Sequence, residues 1–295
     1  MRRTPLALVI ACALAAVAAP RAAGEPCAVP PPGEFRNPEP VAIRGYDGEA
    51  MEPFLSRDGR LLFFNNRNEP ADRTDIHWAS SAEGAAFRYR GLLGGANSPA
   101  LDGVPTMDLA GRFCFVSTRS YRTTLDTVHC GQFEAGRLRA VQAVPGLRSA
   151  RMGRLIFDVE LAADGQTMVF ADGTFSGGAA PDTAVLGLAR RRGSDFVRNG
   201  ESVLAAANAE GRNYAPALSR DACELFFTRL TGFFPFYAAT IWRAVRRAPD
   251  SAFAAPRRLR AIDSFAEGPT ISPDGRALYY HARRDGRFRL FRVTR

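Results

Sequence analysis

Not one of the 295 residues is lysine: all 39 basic side chains are arginine, against 30 acids and only three histidines. An all-arginine basic set reads as the mark of GC-rich coding before it reads as selection for phosphate forks. The arginines are also dispersed, with Arg190-Arg191-Arg192 the one tight run. A nucleic-acid binder would cluster its charge, so no nucleic-acid partner is expected and that run reads as a solvated loop. His77, His129 and His281 stand far apart and no C-x-x-C occurs, which removes the usual zinc spacings. No metal or cofactor is expected. There is no G-x-S-x-G elbow and no phosphate loop, so the commonest hydrolase and nucleotide signatures are missing. Continuous apolar runs are scarce too. Leu6–Ala19 is the longest, shorter than the roughly 20 residues a membrane-spanning helix needs. No stretch has the periodicity of a long amphipathic helix.

What is present begins at the N-terminus. Met1-Arg2-Arg3, the run from Leu6 to Ala19, Pro20 and Ala22-Ala23-Gly24 have the order of a secretory signal peptide. The expected division is a signal at 1–23, a short tail at 24–34 and one domain at 35–295. Removing 1–23 takes away Arg2, Arg3 and Arg21 and lowers the formal charge from +9 to +6. Val9-Ile10-Ala11-Cys12 is a weak lipoprotein-like box, but the apolar stretch before it is very short. A periplasmic or secreted location, without a lipid anchor or membrane segment after cleavage, is the expectation. Cys27, Cys114, Cys130 and Cys223 remain, an even number that permits two disulfides in an oxidising compartment.

Five segments repeat. They are Pro53-Phe-Leu-Ser-Arg-Asp-Gly59, Pro105-Thr-Met-Asp-Leu-Ala-Gly111, Val159-Glu-Leu-Ala-Ala-Asp-Gly165, Pro216-Ala-Leu-Ser-Arg-Asp-Ala222 and Pro269-Thr-Ile-Ser-Pro-Asp-Gly275, at offsets of 52, 54, 57 and 53 residues. Such a period marks a repeat architecture. Apolar runs follow each turn: Leu61–Phe64, Phe113–Val116, Thr167–Phe170, Glu224–Phe227 and Ala277–Tyr280. Short runs of this kind, opened by Asp-Gly, read as strands buried on both faces and entered from a tight hairpin. A third strand is expected at Asp75–Trp78, Asp126–His129, Thr183–Leu186, Thr240–Arg243 and Phe288–Phe291. A fourth should begin at Phe87, Phe133, Phe196 and Phe253. Four strands in about 50 residues make a propeller blade; a sandwich would show cleaner alternation.

The fifth unit stops after its third strand at Arg292-Val-Thr-Arg295, while Phe35–Val41 aligns with Phe253–Leu259. The N-terminal segment should therefore supply the missing strand and close the ring, leaving no free edge. The expected fold is all-β, a five-bladed β-propeller, with six blades as the alternative. In it, Cys114 and Cys130 fall toward the same end of adjacent strands, and Cys27 and Cys223 toward the same face. The alternative for Cys114 is a small core residue, since its aligned partners are Leu62, Met168, Leu225 and Leu278.

Ser272-Pro-Asp-Gly275, the aromatic strand after it and Asp75-Ile-His-Trp78 resemble the repeats of TolB-like periplasmic propellers. The resemblance covers residues 52–295 and concerns the propeller only. TolB carries an N-terminal domain for which no counterpart is expected here, and its ring usually has six blades where five are counted. The resemblance implies an interaction module of the cell envelope with a protein, peptide or envelope glycan as partner.

Propeller ligands sit over the channel, on the face formed by the loops that lead into each inner strand and those joining second to third strands. The residues leading in are Glu52, Val104, Asp158, Ala215 and Gly268, with Asn213 and Glu267 close by. An arginine stands eight residues past the turn in Arg67, Arg119 and Arg283, and seven past in Arg229. These four and Asn213 are the candidate ligand contacts, as a ring for a polar or anionic group. The competing reading makes each arginine a brace between blades. Glu52, Asp158 and Glu267 are the candidate catalytic groups of the alternative, a five-bladed glycoside hydrolase, since acid–base cleavage needs two carboxyls.

Overall fold

Each of the five repeated turns opens an antiparallel sheet, and the sheets stand in a ring. The computed structural model describes residues 26–68, 73–82, 85–178, 180–233, 235–263 and 265–295. The signal-peptide expectation for 1–23, with Cys12, lies outside them. From the axis outward, blade one is Met51–Leu55, Leu61–Asn65, Ile76–Ser81 and Phe87–Leu92, with Ile43–Arg44 added in parallel at its rim. Blade two is Asp102–Met107, Arg112–Ser120, Asp126–Glu134 and Arg137–Ala143, and blade three is Arg154–Leu161, Thr167–Thr174, Thr183–Arg192 and Asp195–Arg198. Blade four is Arg212–Leu218, Glu224–Thr231, Ala238–Val245 and the two residues Arg257–Arg258.

Blade five holds Ala266–Ile271, Ala277–Arg284 and Arg287–Thr294, and its outer strand is Arg36–Pro40 from the N-terminus. The ring is a five-bladed β-propeller closed by that segment. Phe35 anchors it, edge-on to Phe226 with centroids 6.0 Å apart and under the Arg295 guanidinium at 4.7 Å. Arg295 continues to the buried Glu224 of blade four, so the last residue of the chain ties two blades together.

The turn motif has a physical reason. Ser56 Oγ donates to Asp58 Oδ1 at 2.6 Å and accepts the Leu61 N–H at 2.9 Å. Ser219 and Ser272 repeat both bonds with Asp221 and Asp274. Gly59, Gly111, Gly165 and Gly275 take positive φ at this turn, and Ala222 adopts the same backbone at +56°, where a β-carbon is disfavoured.

The core lies between neighbouring sheets. Phe63, Phe113 and Phe115 fill the space between blades one and two. Phe170, Ile156 and Leu147 do so between two and three, Leu186, Leu218 and Phe227 between three and four, and Phe226, Ile271 and Tyr280 between four and five. Phe64, Phe87 and Tyr279 close the circle. Strands packed on both faces are why the repeats read as continuous apolar runs.

The expected starts of a fourth strand at Phe133 and Phe253 are corrected; in blade four only Arg257–Arg258 pair with the third strand. Phe133 lies one residue before the end of the third strand of blade two, because Ala135 and Gly136 form a tight turn at positive φ. Leu138 then takes the buried position. Both disulfides are formed. Cys114 and Cys130 are directly paired across adjacent strands. Cys27 is joined to Cys223 across 196 residues of sequence, fastening the N-terminal tail to the inner turn of blade four.

Candidate functional site

Every inner strand is irregular near its upper end, between Met51 and Phe54, Gly103 and Thr106, Ile156 and Asp158, Tyr214 and Ala217, and Glu267 and Thr270. Glu52, Val104, Ala215 and Gly268 take positive φ there. Such bulges re-aim the backbone, and four of them turn an N–H toward the preceding blade. Glu52 N–H donates to His281 Nδ1 at 3.2 Å, Val104 N–H to Asn65 Oδ1 at 3.2 Å and Gly268 N–H to Thr228 Oγ1 at 3.2 Å. Asn65, Thr228 and His281 hold one aligned position on the second strands, which in blade three is Ala171. Alanine cannot accept, and Asp158 supplies the missing acceptor, taking the Ala215 N–H at 2.8 Å on Oδ2.

The same geometry brings Glu52, Asp158 and Glu267 together around the upper end of the channel. His281 Nε2 lies 3.6 Å from Glu267 Oε2 and 4.0 Å from Glu52 Oε1. Asn68 donates to Glu52 Oε1 at 2.9 Å, and Tyr214 donates its hydroxyl hydrogen to Glu267 Oε1. Burial pushes the Glu52 carboxyl above its usual range; His281 and the Asn68 bond pull it back, and Glu267 adds to the rise. Burial likewise lifts Asp158 well above the ordinary value, with Glu52 reinforcing it and the Ala215 bond opposing. Tyr214 rises through burial and then through Glu267. Burial opposes charge on His281, but Glu52 and Glu267 outweigh it and move the imidazole upward. Its Nδ1 accepts the Glu52 N–H, so the neutral ring carries its proton on Nε2, aimed between two carboxylates. The imidazole and the carboxyls form a buried charged cluster in which Nε2 itself has no hydrogen-bond partner among the described residues.

The channel below is narrow and plugged. Its cavity, lined by Pro53, Pro105, Pro216, Pro269 and neighbours, holds roughly a water or two. Arg57, from the lower turn of blade one, reaches across to Met107 O at 3.3 Å, Leu218 O at 3.1 Å, Glu160 Oε1 at 2.7 Å and Leu161 O. Glu160 also accepts from Thr106 at 2.8 Å and the Leu218 N–H at 2.9 Å. Three blades are thereby tied to a fourth by one buried ion pair. The position of Arg57 within Ser-Arg-Asp-Gly gave no sign of this in the sequence, because Arg220 at the aligned place in blade four is exposed.

The arginines divide in two. Arg119 is bound to Ala96 O and Asp102 Oδ1, and Arg229 to Ala207 O at 2.9 Å and Asn213 Oδ1 at 2.9 Å, with its guanidinium 4.2 Å above the Trp242 ring. In both loops the next residue is asparagine. Asn97 pairs with both backbone groups of Ile76, and Asn208 with both of Leu186. The asparagine amide thus pairs with the third strand of the blade before it, just beyond the stretch that the fourth strand covers, and the arginine holds that loop in place. Asn213 is fully buried, its Nδ2 donating to Glu210 O at 2.8 Å. Arg67 and Arg283 are exposed on the upper face.

No known family pattern matches the chain, and no curated protein matches it. Solved structures do. A glycoside hydrolase superposes with a TM-score of 0.57 at 13% identity, over 86% of this chain and 90% of the other. Two TolB structures also match: a TolB candidate from Agrobacterium tumefaciens (TM-score 0.45, 17% identity, 68% of this chain) and TolB from Acinetobacter baumannii (0.47, 14%, 84%). This chain spans 62% and 55% of their lengths. At such identities the likeness is one of fold alone.

Proposed function

We propose that this chain is an exported binding module of the cell envelope, and that its ligand, a protein, peptide or envelope glycan, covers the upper mouth of the channel. The observation that carries this reading is the asymmetry of the axis. The upper end gathers Glu52, Asp158, Glu267, His281 and Tyr214, whereas Arg57 seals the lower end and the cavity between admits only water. A ligand therefore caps the ring and does not thread it. Exposed Arg67 and Arg283 and the partly exposed Glu267 offer direct contacts of both signs; Arg119, Arg229 and Asn213 act by holding the loops around the mouth. Two formed disulfides favour an oxidising compartment, in keeping with the basic, apolar and small-residue order of residues 1–23.

One observation favours a second reading, glycoside hydrolysis. Buried carboxyls pushed upward beside another carboxylate are what a general acid requires, and Glu52, Asp158 and Glu267 meet in one place. Against it, Asp158 Oδ2 is committed to a backbone N–H and Glu267 Oε1 to Tyr214, which leaves little room for a scissile bond. The two readings separate in one experiment, a panel of envelope glycans and peptides followed for both binding and turnover. Binding without product supports the module, and product formation supports the hydrolase.

A further inference from the structure

Blade four carries an unusual upper loop. Phe233 and Phe236 are 69% and 72% exposed, with ring centroids 5.9 Å apart, edge to face. Phenylalanine has no polar atom to satisfy in water, so holding two such rings in solvent is costly unless something covers them. The loop's base is pinned. Arg212 donates to Gly232 O at 2.6 Å and to Pro181 O at 3.1 Å, and its guanidinium lies 4.9 Å over the Tyr237 ring. The rings are thus presented by a fastened base.

The adjoining elements supply charge. The loop leading from blade four into blade five contributes exposed Arg260, with Phe265 41% exposed beside Ala266. The matching hairpin of blade five contributes exposed Arg283, Arg284 and Arg287. All three loops lie on the upper face by topology, on adjacent blades. Four exposed arginines face two acids there, Asp263 and Asp285, and residues 232–237 contain no charge at all.

We propose that this part of the upper rim docks on an anionic lipid surface, the Phe233 and Phe236 rings entering the interfacial layer and the arginines meeting headgroup phosphates. Two observations favour lipid over a protein partner. The apolar atoms are carried on a projecting loop tip, not spread as a broad patch, and two rings offer far less than the roughly 800 Å² per partner of a stable protein interface. Aromatic tips with a basic border match a bilayer interface, where rings shed water and arginines gain from surface potential. The inference rests on the loop itself and not on the ligand reading of the channel mouth.

The test is cosedimentation of the full exported chain with vesicles of phosphatidylcholine alone and of phosphatidylcholine mixed with phosphatidylglycerol. The parent should partition onto the mixed vesicles and release as salt rises. Phe233→Ser with Phe236→Ser should lower partitioning about 10-fold or more, with an unchanged melting curve, while Leu109→Ser on the lower face changes nothing. Arg260→Gln with Arg284→Gln and Arg287→Gln should abolish the preference for the anionic vesicles. No partitioning by the parent overturns the proposal, as does equal partitioning by the phenylalanine variant. Loss of a protein contact by that variant, with no vesicle binding by the parent, overturns it in favour of a protein partner.

Discussion

Arg119 and Arg229 stand at nearly the same distance past their turns as Arg67 and Arg283, yet their surroundings give them different work. Arg229 is almost fully buried, stacked on Trp242 and bonded to Ala207 O and Asn213. Burial works against its charge and Glu210 partly restores it. Removing the side chain orphans buried acceptors and opens a void, so Arg229→Ala should cost about 2–4 kcal/mol in a denaturant titration. Arg67→Ala and Arg283→Ala should stay within about 0.5 kcal/mol of the parent. Equal losses at all four positions would contradict this division. The channel cluster makes a pH prediction. Glu52, Asp158 and His281 are all shifted upward, so the folded state holds more protons than the unfolded chain. Their contribution is present at low pH and lost as pH rises, from the ordinary carboxylate range through the raised values and, for His281, above 6.5. His77, held by burial at about 4, acts oppositely: its contribution is present above 6.5 and lost as pH falls toward 4. Asp158→Asn should flatten the loss on the alkaline side in melting curves taken across pH, and leave the acid limb unchanged.

At the scale of elements, the strands, the turns and the closing segment were legible because each repeats or has an aligned partner. Phe35 could be matched to Phe253, and the fifth unit visibly lacked a strand. Phe133 misled because alignment by residue type ignores a two-residue turn that moved the strand boundary. The disulfides stayed open in the sequence, since strand assignments placed cysteines at the same end of the molecule but could not set their separation. With Cys27 bonded to Cys223, the segment from the tail through Arg36–Pro40 is held at both ends. Cys27→Ser should therefore lower stability by about 2–5 kcal/mol. Deleting residues 35–43 should go further, exposing the edge of Arg287–Thr294 and producing aggregation. A deletion variant that melts with the parent would refute closure by the N-terminal strand.

For the molecule as a whole, the candidate carboxylates were found because the period predicts which residues share the axis. The bracing role of Asp158 was hidden, because it depends on Ala171 being unable to accept a bond that Asn65, Thr228 and His281 accept in other blades. Arg57 was hidden for a related reason: its partners lie 50 to 161 residues away, across the ring, where no local pattern reports them. Export should appear as an intact mass beginning near Gly24 in protein recovered from the periplasm; a mass that retains Met1 would contradict it. The central claim is that the upper face binds and does not catalyse. The most direct measurement follows binding and product together on a panel of envelope glycans and peptides, for the parent, Glu52→Gln and Arg283→Ala. The account predicts saturable binding by the parent with no product, and weaker binding by Arg283→Ala at unchanged stability. Product released by the parent, falling about 100-fold or more in Glu52→Gln while affinity holds, would contradict it and make the ring a hydrolase.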